Sequence, residues 1–305
     1  MSERGPIVQL LGGLGNQMFQ YALGFRLARD FGVDLRIDTS VLEDHSARGN
    51  GVKRSFDLDL FSLKAVRASP MERWVYNAHG LPVAVRGARR LLKPFTRHNT
   101  VVEQSFRFQP DLLRRSRPPG YIAGLWQSWK YLAGREDEIR KEFAFRESLP
   151  PSVFPLKDLL RLRSTVAIHV RRGDYVTNPA DAATLGFAGI DYYKRAVDAA
   201  GSGIGGWKDF LVFSDEIEWC RSRFDWLPGR VTFVDSSRQG ERAAHHLDFQ
   251  LMSHAGNFII SNSTFAWWAA WLSRASDKVI IAPRQWFKDP ALDSSDLCPP
   301  EWILV

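Results

Sequence analysis

Cysteine is scarce in this sequence, and its scarcity limits what kind of protein the chain can be. The 305 residues include two cysteines, Cys220 and Cys298. They are too few for a disulfide framework and too far apart in sequence to act as paired metal ligands. A reducing compartment is therefore sufficient for this protein.

Long apolar runs are also absent. No stretch reaches the roughly 20 apolar residues that a membrane-spanning helix needs. The first strand-like run begins at Ile7, which leaves no room for a secretory signal peptide. We therefore expect a cytoplasmic protein. Its 45% hydrophobic and 25% charged residues are typical of a globular fold.

Acidic residues are the minority charge, with 34 Asp and Glu against 41 Lys and Arg and a net charge of +7. This balance favours an anionic partner such as a nucleotide sugar, a phospholipid surface or a nucleic acid. Spacings that could make one helix face basic are found for Arg86, Arg89, Arg90, Lys93 and Arg97. We interpret that face as solvated rather than as a nucleic-acid groove, with loose membrane attachment as the intermediate alternative.

The first half of the chain begins with half of a βαβ unit. A strand at 7–11, a glycine turn, a helix at 18–29 and a strand at 35–38 follow one another. Asp38 lies about twenty residues after the glycines, as the ribose-binding acid of a dinucleotide fold would. Met18 replaces the third glycine of that fingerprint, so the match is weak.

The remainder of this half is less regular. Residues 55–60 alternate apolar and acidic side chains and predict a strand with one solvated face, which also explains the D-x-D pattern there. The aromatic residues of 124–131 can stack on a sugar or pack against a neighbouring layer. A charged helix at 135–145 precedes the proline-rich segment 148–155. We place the domain boundary there, giving domains 1–155 and 156–305.

The second half alternates strands and helices strictly. This order predicts a parallel, doubly wound sheet, and the chain as a whole is an α/β protein. The predicted strands are 166–170, 210–213, 231–235, 257–260 and 278–282, and the main helices are 191–200, 241–254 and 265–272.

The strand at 166–170 leads directly into the charged pattern H-x-R-R-x-D, which begins at His169. In open α/β sheets, ligands bind beyond the carboxyl ends of the strands. A planar guanidinium can hold phosphate through two parallel hydrogen bonds, so Arg171 and Arg172 predict an anion site. The alternative is a salt bridge from Arg172 to Asp174 that only fixes the loop.

Two more strand ends of this domain are polar, at 214–216 and 261–264. Ser263 or Thr264 can cap the next helix, whose free amides and dipole would attract a phosphate. A plain helix cap is the alternative, but Arg171 on the same sheet favours a pyrophosphate cradle. Asn262 begins a glycosylation sequon, but its position between a buried strand and a helix argues against glycosylation there.

Asp248 lies on the helix before that strand. Its carboxylate could accept two hydrogen bonds from guanine, which adenine cannot supply. A simple surface acid is an equal alternative.

Four blocks of the sequence resemble the signature motifs of the family 11 glycosyltransferases, the α-1,2-fucosyltransferases. The blocks are GGLGNQMFQYA at 12–22, HVRRGDY at 169–175, FSDEIEWC at 213–220 and SNSTFAWWAAWL at 261–272. Gln127-Ser128, Lys130-Tyr131 and the terminal PEW are also similar, so the likeness runs nearly end to end. It implies a GT-B-like fold of two Rossmann-like domains facing a central cleft.

The same resemblance implies an inverting, metal-independent transfer of L-fucose from GDP-β-L-fucose to the 2-hydroxyl of a terminal galactose. The acceptor would be an oligosaccharide or a lipid-linked glycan, with no cofactor and no nucleic-acid partner. An acceptor of another identity or another linkage is the alternative. The absence of an N-terminal anchor fits a bacterial-type enzyme that is cytoplasmic or peripheral at the inner membrane.

The resemblance also implies roles for individual residues. Arg171 would contact the donor phosphates, Asn16 would face the fucose or the acceptor, and Asp174 is the candidate general base, unless it only positions Arg172. The residues implied in donor binding are His169 and Asp248 at the guanosine, Ser263, Thr264 and Phe265 at the phosphates, Arg172 in support, and Gly13, Gly15 and Gln17 in the first domain.

Two other classes of function compete with this interpretation. Eleven tryptophans and the aromatic residues of 126–131 would suit a carbohydrate-binding module, which has no need for paired arginines. An NAD-dependent oxidoreductase would use the first glycine turn and Asp38, but it leaves Arg171 without a role.

Overall fold

The strands of this chain form two separate parallel sheets. The computed structural model describes residues 5–43, 54–76, 100–201, 206–236 and 241–305. The chain divides into two compact units, Met1–Arg146 with Ser295–Leu297, and Glu147–Ser294 with Cys298–Val305. The division falls after Arg146, earlier than the predicted boundary between 155 and 156, and a short C-terminal segment belongs to the first unit. The basic positions from Arg86 to Arg97 lie outside the described residues.

The first unit contains a five-stranded sheet in the order β3-β2-β1-β5-β4, with all described pairings parallel. Its strands are β1 Ile7–Gln9, β2 Arg36–Asp38, β3 Val66–Arg67, β4 Thr100–Val102 and β5 Tyr121–Ala123. The α-helices described in this unit are Leu14–Phe31, Ser40–Glu43, Pro70–Tyr76, Pro110–Leu113 and Glu136–Glu142.

The second unit contains a six-stranded parallel sheet in the order β11-β10-β9-β6-β7-β8. Its strands are β6 Thr165–Val170, β7 Asp209–Ser214, β8 Arg230–Phe233, β9 Asn257–Ile259, β10 Val279–Ala282 and β11 Ile303–Leu304. Its described α-helices are Phe154–Leu160, Gly173–Thr177, Pro179–Thr184, Ile190–Gly201, Ile217–Arg221, Glu241–Met252 and Thr264–Leu272. This is the doubly wound order of a Rossmann sheet, and the predicted α/β class is confirmed.

Burial explains why the site-bearing strand β6 was recognisable. All six of its residues are buried, as expected for a central strand covered on both faces. The Thr264–Leu272 helix is also enclosed, with every residue from Ala266 to Leu272 buried. Within the described ranges, no helix has the length and apolar character needed to cross a bilayer.

The strand predicted at 55–60 is wrong. Leu58–Leu60 forms a single 3₁₀ turn instead. The backbone N–H of Asp57 donates to Gln17 Oε1 at 3.0 Å, so the segment is tied to the first helix rather than to a sheet edge. Leu58 is fully buried, which satisfies the apolar part of the pattern without a strand.

The first helix begins at Leu14, four residues before its predicted start. Its close approach to the sheet depends on Gly24, where a Cβ atom would lie 2.4 Å from Val8 Cγ2 and 2.7 Å from Leu35 Cδ1. Helix and sheet therefore touch through a position that has no side chain.

We predict that Gly24→Val lowers the free energy of unfolding by about 1–3 kcal/mol, because the core must expand to take the new methyl groups. Gly32→Asn is the matched control, since Gly32 ends the same helix at φ 65° with no atom near its Cβ position. Asparagine tolerates that backbone conformation, so Gly32→Asn should change the free energy of unfolding only slightly. Chemical denaturation measures both; equal effects would contradict the packing argument.

Candidate functional site

The candidate site lies where the six-stranded sheet reverses its winding, between β6 and β9. At such a switch point neighbouring strands lead to helices on opposite faces, and a crevice opens beyond their carboxyl ends. Here the two strand ends are joined by one hydrogen bond, between His169 Nδ1 and Ser261 Oγ at 2.8 Å. Both side chains are buried. This bond brings together two of the three polar strand ends seen in the sequence, and the third joins them through Asp215 and Glu216, which pair with Arg171 and Arg172.

His169 is held in place by its neighbours. Its ring centroid lies 5.3 Å from that of Phe265, which also contacts His245 at 4.5 Å. The Tyr193 hydroxyl donates to the His169 carbonyl at 3.1 Å. Burial lowers the pKa of His169 to about 3, and the charges of Arg171 and His245 act in the same direction. His169 is therefore neutral near pH 7 and can serve as a hydrogen-bonding group but not as a proton shuttle.

Arg171 is held between two carboxylates. Its Nη2 donates to Asp174 Oδ2 at 2.8 Å, and its Nη1 lies 3.3 Å from Asp215 Oδ2. The Arg171 side chain is 20% exposed. Fixed on one side by two acids, it can present its remaining N–H groups to an anion without losing much side-chain entropy.

The salt bridge from Arg172 to Asp174, the alternative to an anion site, does not form. Arg172 pairs with Glu216 instead, and its guanidinium carbon lies 4.8 Å from the ring centroid of Trp219. The two adjacent arginines therefore point to separate partners, because successive residues leaving a strand diverge. Only Arg171 is placed between the two acids.

Asp215, at the end of β7, was not identified individually from the sequence. Its carboxylate accepts the backbone N–H groups of Arg172 and Gly173, both at 3.1 Å. A Cβ atom at residue 173 would lie 2.8 Å from Asp215 Oδ2, which explains the glycine. The available signal was its position directly after the strand that neighbours β6.

The 261–264 loop is fixed by Asn262. Its Nδ2 donates to the carbonyls of Leu185, Gly186 and Trp286 at 3.0–3.1 Å. The residue is 2% exposed, so the sequon amide lies inside the protein. Ser263 occupies the N-cap position of the Thr264–Leu272 helix, yet its side chain makes no capping hydrogen bond.

Tyr175 joins this loop to the H-x-R-R-x-D segment. Its hydroxyl donates to the Asn262 carbonyl at 3.2 Å, and the Arg171 guanidinium carbon lies 5.6 Å from its ring centroid. Arg171 and the start of the Thr264–Leu272 helix are thereby on the same edge of the sheet. Together they could surround a phosphate group.

Asp248 is not a freely solvated acid. The Ser236 hydroxyl donates to its Oδ1 at 2.6 Å. Burial raises the pKa of Asp248 to about 7. The hydrogen bond from Ser236 acts in the opposite direction, and the nearby charge of Asp235 adds a smaller increase to this pKa. Asp248 follows His245 by one turn of the Glu241–Met252 helix. A partly buried carboxyl with this pKa suits a hydrogen-bonding role toward a ligand.

The predicted residues of the first unit separate into two groups. Gly13 is the N-cap residue of the first helix, and Gly15 and Asn16 lie in its first turn. Asn16 Oδ1 accepts a hydrogen bond from Gln127 Nε2 at 2.9 Å.

Gln17 has a different environment. It is fully buried, and its Nε2 donates to the carbonyls of Gly12 and Ser55, both at 2.8 Å. With its Oε1 bound to the Asp57 N–H, its amide braces the glycine loop from within.

The contacts in the first unit support neither a dinucleotide site at Asp38 nor a carbohydrate-binding surface at Trp126 and Tyr131. Asp38 is fully buried, and its two carboxylate oxygens accept hydrogen bonds from the Tyr121 hydroxyl at 2.7 Å and the Ser40 N–H at 2.9 Å, so both oxygens already have partners within the protein. Trp126 and Tyr131 are also buried and pack edge to face at 5.9 Å. They belong to the core rather than to a sugar-stacking surface.

In the described part of the chain, no group of three or more His, Cys, Asp and Glu side chains is arranged to hold a metal ion.

Comparison with known proteins identifies related sequences. Residues 92–305 match the model of Glycosyl transferase family 11. The chain is 27% identical to an α-1,2-colitosyltransferase of Escherichia coli over 98% of both chains. It is 31% identical to the O-antigen biosynthesis glycosyltransferase WbnK of Escherichia coli, covering 96% of this chain and 98% of that protein.

Other known proteins are similar over a smaller part of this chain or at a lower sequence identity. Human galactoside α-(1,2)-fucosyltransferase 1 is 30% identical over 53% of this chain and 45% of its own length. A crystal structure of the α-1,6-fucosyltransferase NodZ with GDP is 14% identical, covers 88% of this chain and 92% of that one, and has a TM-score of 0.48.

We predict that Asp215→Ala lowers the free energy of unfolding by about 2–4 kcal/mol, because two backbone N–H groups and a partly buried guanidinium lose their acceptor. Asp215→Asn should cost less, since its single amide oxygen still accepts one N–H. The control is Asp225→Ala at an exposed position of the same unit, expected to change stability by less than about 0.5 kcal/mol. If Asp215→Ala were as stable as this control, Asp215 would not organise the loop.

Proposed function

We propose, because the chain belongs to glycosyl transferase family 11, that this enzyme transfers L-fucose from GDP-β-L-fucose to the 2-hydroxyl of a terminal galactose. The transfer would invert the anomeric centre, give an α-1,2 linkage and need no metal. The observation that carries the proposal is the placement of Arg171 beside the start of the Thr264–Leu272 helix, at the switch point of a Rossmann sheet. This arrangement suits a diphosphate.

In this proposal the protein itself stabilises the charge that develops on the departing GDP. Arg171 supplies a fixed positive group, and the backbone N–H groups at the start of the Thr264–Leu272 helix supply further donors. Ser263, whose hydroxyl is not used as a cap, and Phe265 flank those donors. Such preorganised donors are worth most at the transition state, because they need no reorganisation when the bond to the leaving group breaks.

The nucleoside would be read by the residues around Phe265. His169 is neutral and hydrogen-bonds Ser261, so its second ring nitrogen is available to a ligand group. Asp248, when ionised, could accept hydrogen bonds from the two N–H donors on one edge of guanine. Arg172, paired with Glu216, supports the loop rather than the phosphates in this scheme.

The general base at Asp174 stays a prediction. Its carboxylate is within 2.8 Å of the Arg171 guanidinium, through both oxygens. In this arrangement Asp174 orients Arg171, and a base role would require the acceptor hydroxyl to share one of the same oxygens.

Colitose is the second candidate for the transferred sugar, because a relative that matches nearly the whole chain is named a colitosyltransferase. Colitose is fucose without its 3-hydroxyl. A comparison of kcat/KM for GDP-fucose and GDP-colitose decides between the two donors. The acceptor is proposed to be a galactose-terminated oligosaccharide or lipid-linked glycan, and the enzyme is proposed to act in the cytoplasm or at the inner membrane surface.

We predict that Arg171→Ala lowers kcat/KM by about 10²–10³-fold, the typical cost of losing one donor to a developing oxyanion. The kcat/KM is measured as acceptor-dependent release of GDP from GDP-fucose. The assay uses a panel of β-galactosides and contains a chelator. Arg221→Ala, at a more exposed arginine of the same unit, is the control and should retain activity. Full activity of Arg171→Ala would contradict the phosphate role, and loss of release with chelator would contradict metal independence.

We also predict that GDP-fucose binds more weakly as the pH falls below 7. Asp248 must be ionised to accept the guanine hydrogen bonds, and its pKa of about 7 leaves a shrinking ionised fraction at lower pH. The dissociation constant should rise about tenfold from pH 8 to pH 6.

Titration calorimetry measures this pH dependence, since the esterified diphosphate of GDP-fucose does not itself titrate in this range. Asp248→Asn is the matched variant and should bind weakly with a flat pH profile. A wild-type affinity that is constant from pH 6 to 8 would contradict a guanine contact by Asp248.

A further inference from the structure

In the first unit β1 and β5 are adjacent parallel strands, so their carboxyl ends lie at the same edge of the sheet. The chain leaves β1 through Gly12, at φ 77°, and leaves β5 through Gly124-Leu125-Trp126-Gln127. Gln20 ties these two exits together, because its Oε1 accepts the Leu11 N–H and its Nε2 donates to the Gly124 carbonyl, both at 3.0 Å. A crevice at the carboxyl ends of parallel strands is where a ligand is expected.

The exit from β5 is held in an unfavourable conformation. Trp126 has φ 57°, the left-handed region that bulky residues avoid, and its side chain is fully buried. Glu103 enforces this turn, because its two carboxylate oxygens accept the N–H groups of Leu125 and Trp126 at 2.7 and 2.9 Å. Conformations of this kind persist where the surroundings over-determine them, and they concentrate at functional sites.

The strained turn positions the side chain of Gln127. Its Nε2 donates to Asn16 Oδ1 at 2.9 Å, on the first turn of the Leu14–Phe31 helix. Its Oε1 is buried and accepts no hydrogen bond from any residue in the described part of the chain. Gln127 is 6% exposed, so this oxygen cannot be satisfied by bulk solvent. A buried amide oxygen without a donor is unfavourable until a ligand supplies one.

The chemistry of this oxygen limits the ligand. A diphosphate diester has no hydrogen to donate, and its charge would be repelled by a carbonyl dipole. A sugar hydroxyl donates one hydrogen bond and accepts others, so it can bind Gln127 Oε1. The diphosphate of the donor is thereby excluded from this position.

We infer that Gln127, paired with Asn16, binds a hydroxyl group of a sugar substrate and thereby contributes to the enzyme's sugar specificity. This inference rests on the proposed function. Glu103 is the positioning residue, because it holds the turn that aims Gln127. The hydroxyl belongs either to the acceptor galactoside or to the sugar of the donor, and the experiment separates these two sources.

The test compares wild type with Gln127→Met, which keeps the length of the side chain and removes its polar atoms. Both are assayed with the parent galactoside and its 3-, 4- and 6-deoxy analogues, and with GDP-fucose against its 2-, 3- and 4-deoxy analogues, of which the 3-deoxy sugar is colitose. We expect Gln127→Met to lower kcat/KM about 10- to 100-fold with the parent substrates. The loss should disappear with the one analogue that lacks the bound hydroxyl, and that analogue identifies the sugar.

Two further variants complete the design. Gln127→Glu keeps an acceptor oxygen and should retain more activity than Gln127→Met. Gln104→Met removes an exposed glutamine of the same unit and should leave kcat/KM unchanged. An equal loss with every analogue, or no loss at all, would overturn the inference.

Failure of this inference is distinguishable from failure of the proposed function. Absence of wild-type turnover with every donor and acceptor would reject the proposed function. In that case calorimetry measures the binding of the same sugars to wild type and to Gln127→Met. A loss of affinity for every sugar except the analogue that lacks the bound hydroxyl would support the subsite.

Discussion

The ion-pair arrangement around Arg171 is the interaction on which the candidate site depends. A guanidinium at the end of a buried strand loses much of its hydration, and Asp174 and Asp215 compensate for that loss. Asp215 also accepts two backbone N–H groups of the loop, so the same carboxylate orients the cation and shapes the segment that carries it. Charge and backbone geometry are therefore coupled, and neither can change alone.

The two units share a structural feature at the carboxyl ends of their sheets. In each unit a side-chain hydrogen bond joins the segments that follow two neighbouring parallel strands. In the second unit it connects His169 and Ser261 at 2.8 Å, and in the first it connects Gln127 and Asn16 at 2.9 Å. The surroundings differ in chemistry. The second unit has a fixed cation and a helix start, which suit an anion, whereas the first has amides, which suit a neutral polyol.

Sequence patterns were reliable where burial on both faces imposed them. Strand β6 and the enclosed Thr264–Leu272 helix were predicted nearly residue for residue, because continuous apolar runs of those lengths leave few alternatives. The segment 55–60 was wrong because an alternating pattern can be satisfied by one buried leucine and a hydrogen bond to a distant glutamine. Periodicity records which residues are buried, but it does not record which partner buries them.

The sequence by itself determined the α/β class, the family likeness and the charged strand end from His169 to Asp174. These follow from local order and residue type. Only the tertiary structure decided that Arg171 rather than Arg172 pairs with Asp174, that Asp215 completes the arrangement, and that Gln17 is internal. Each of these depends on side chains from separate strands meeting at one edge of a sheet, and their distances are set by strand order and twist, which no local pattern encodes.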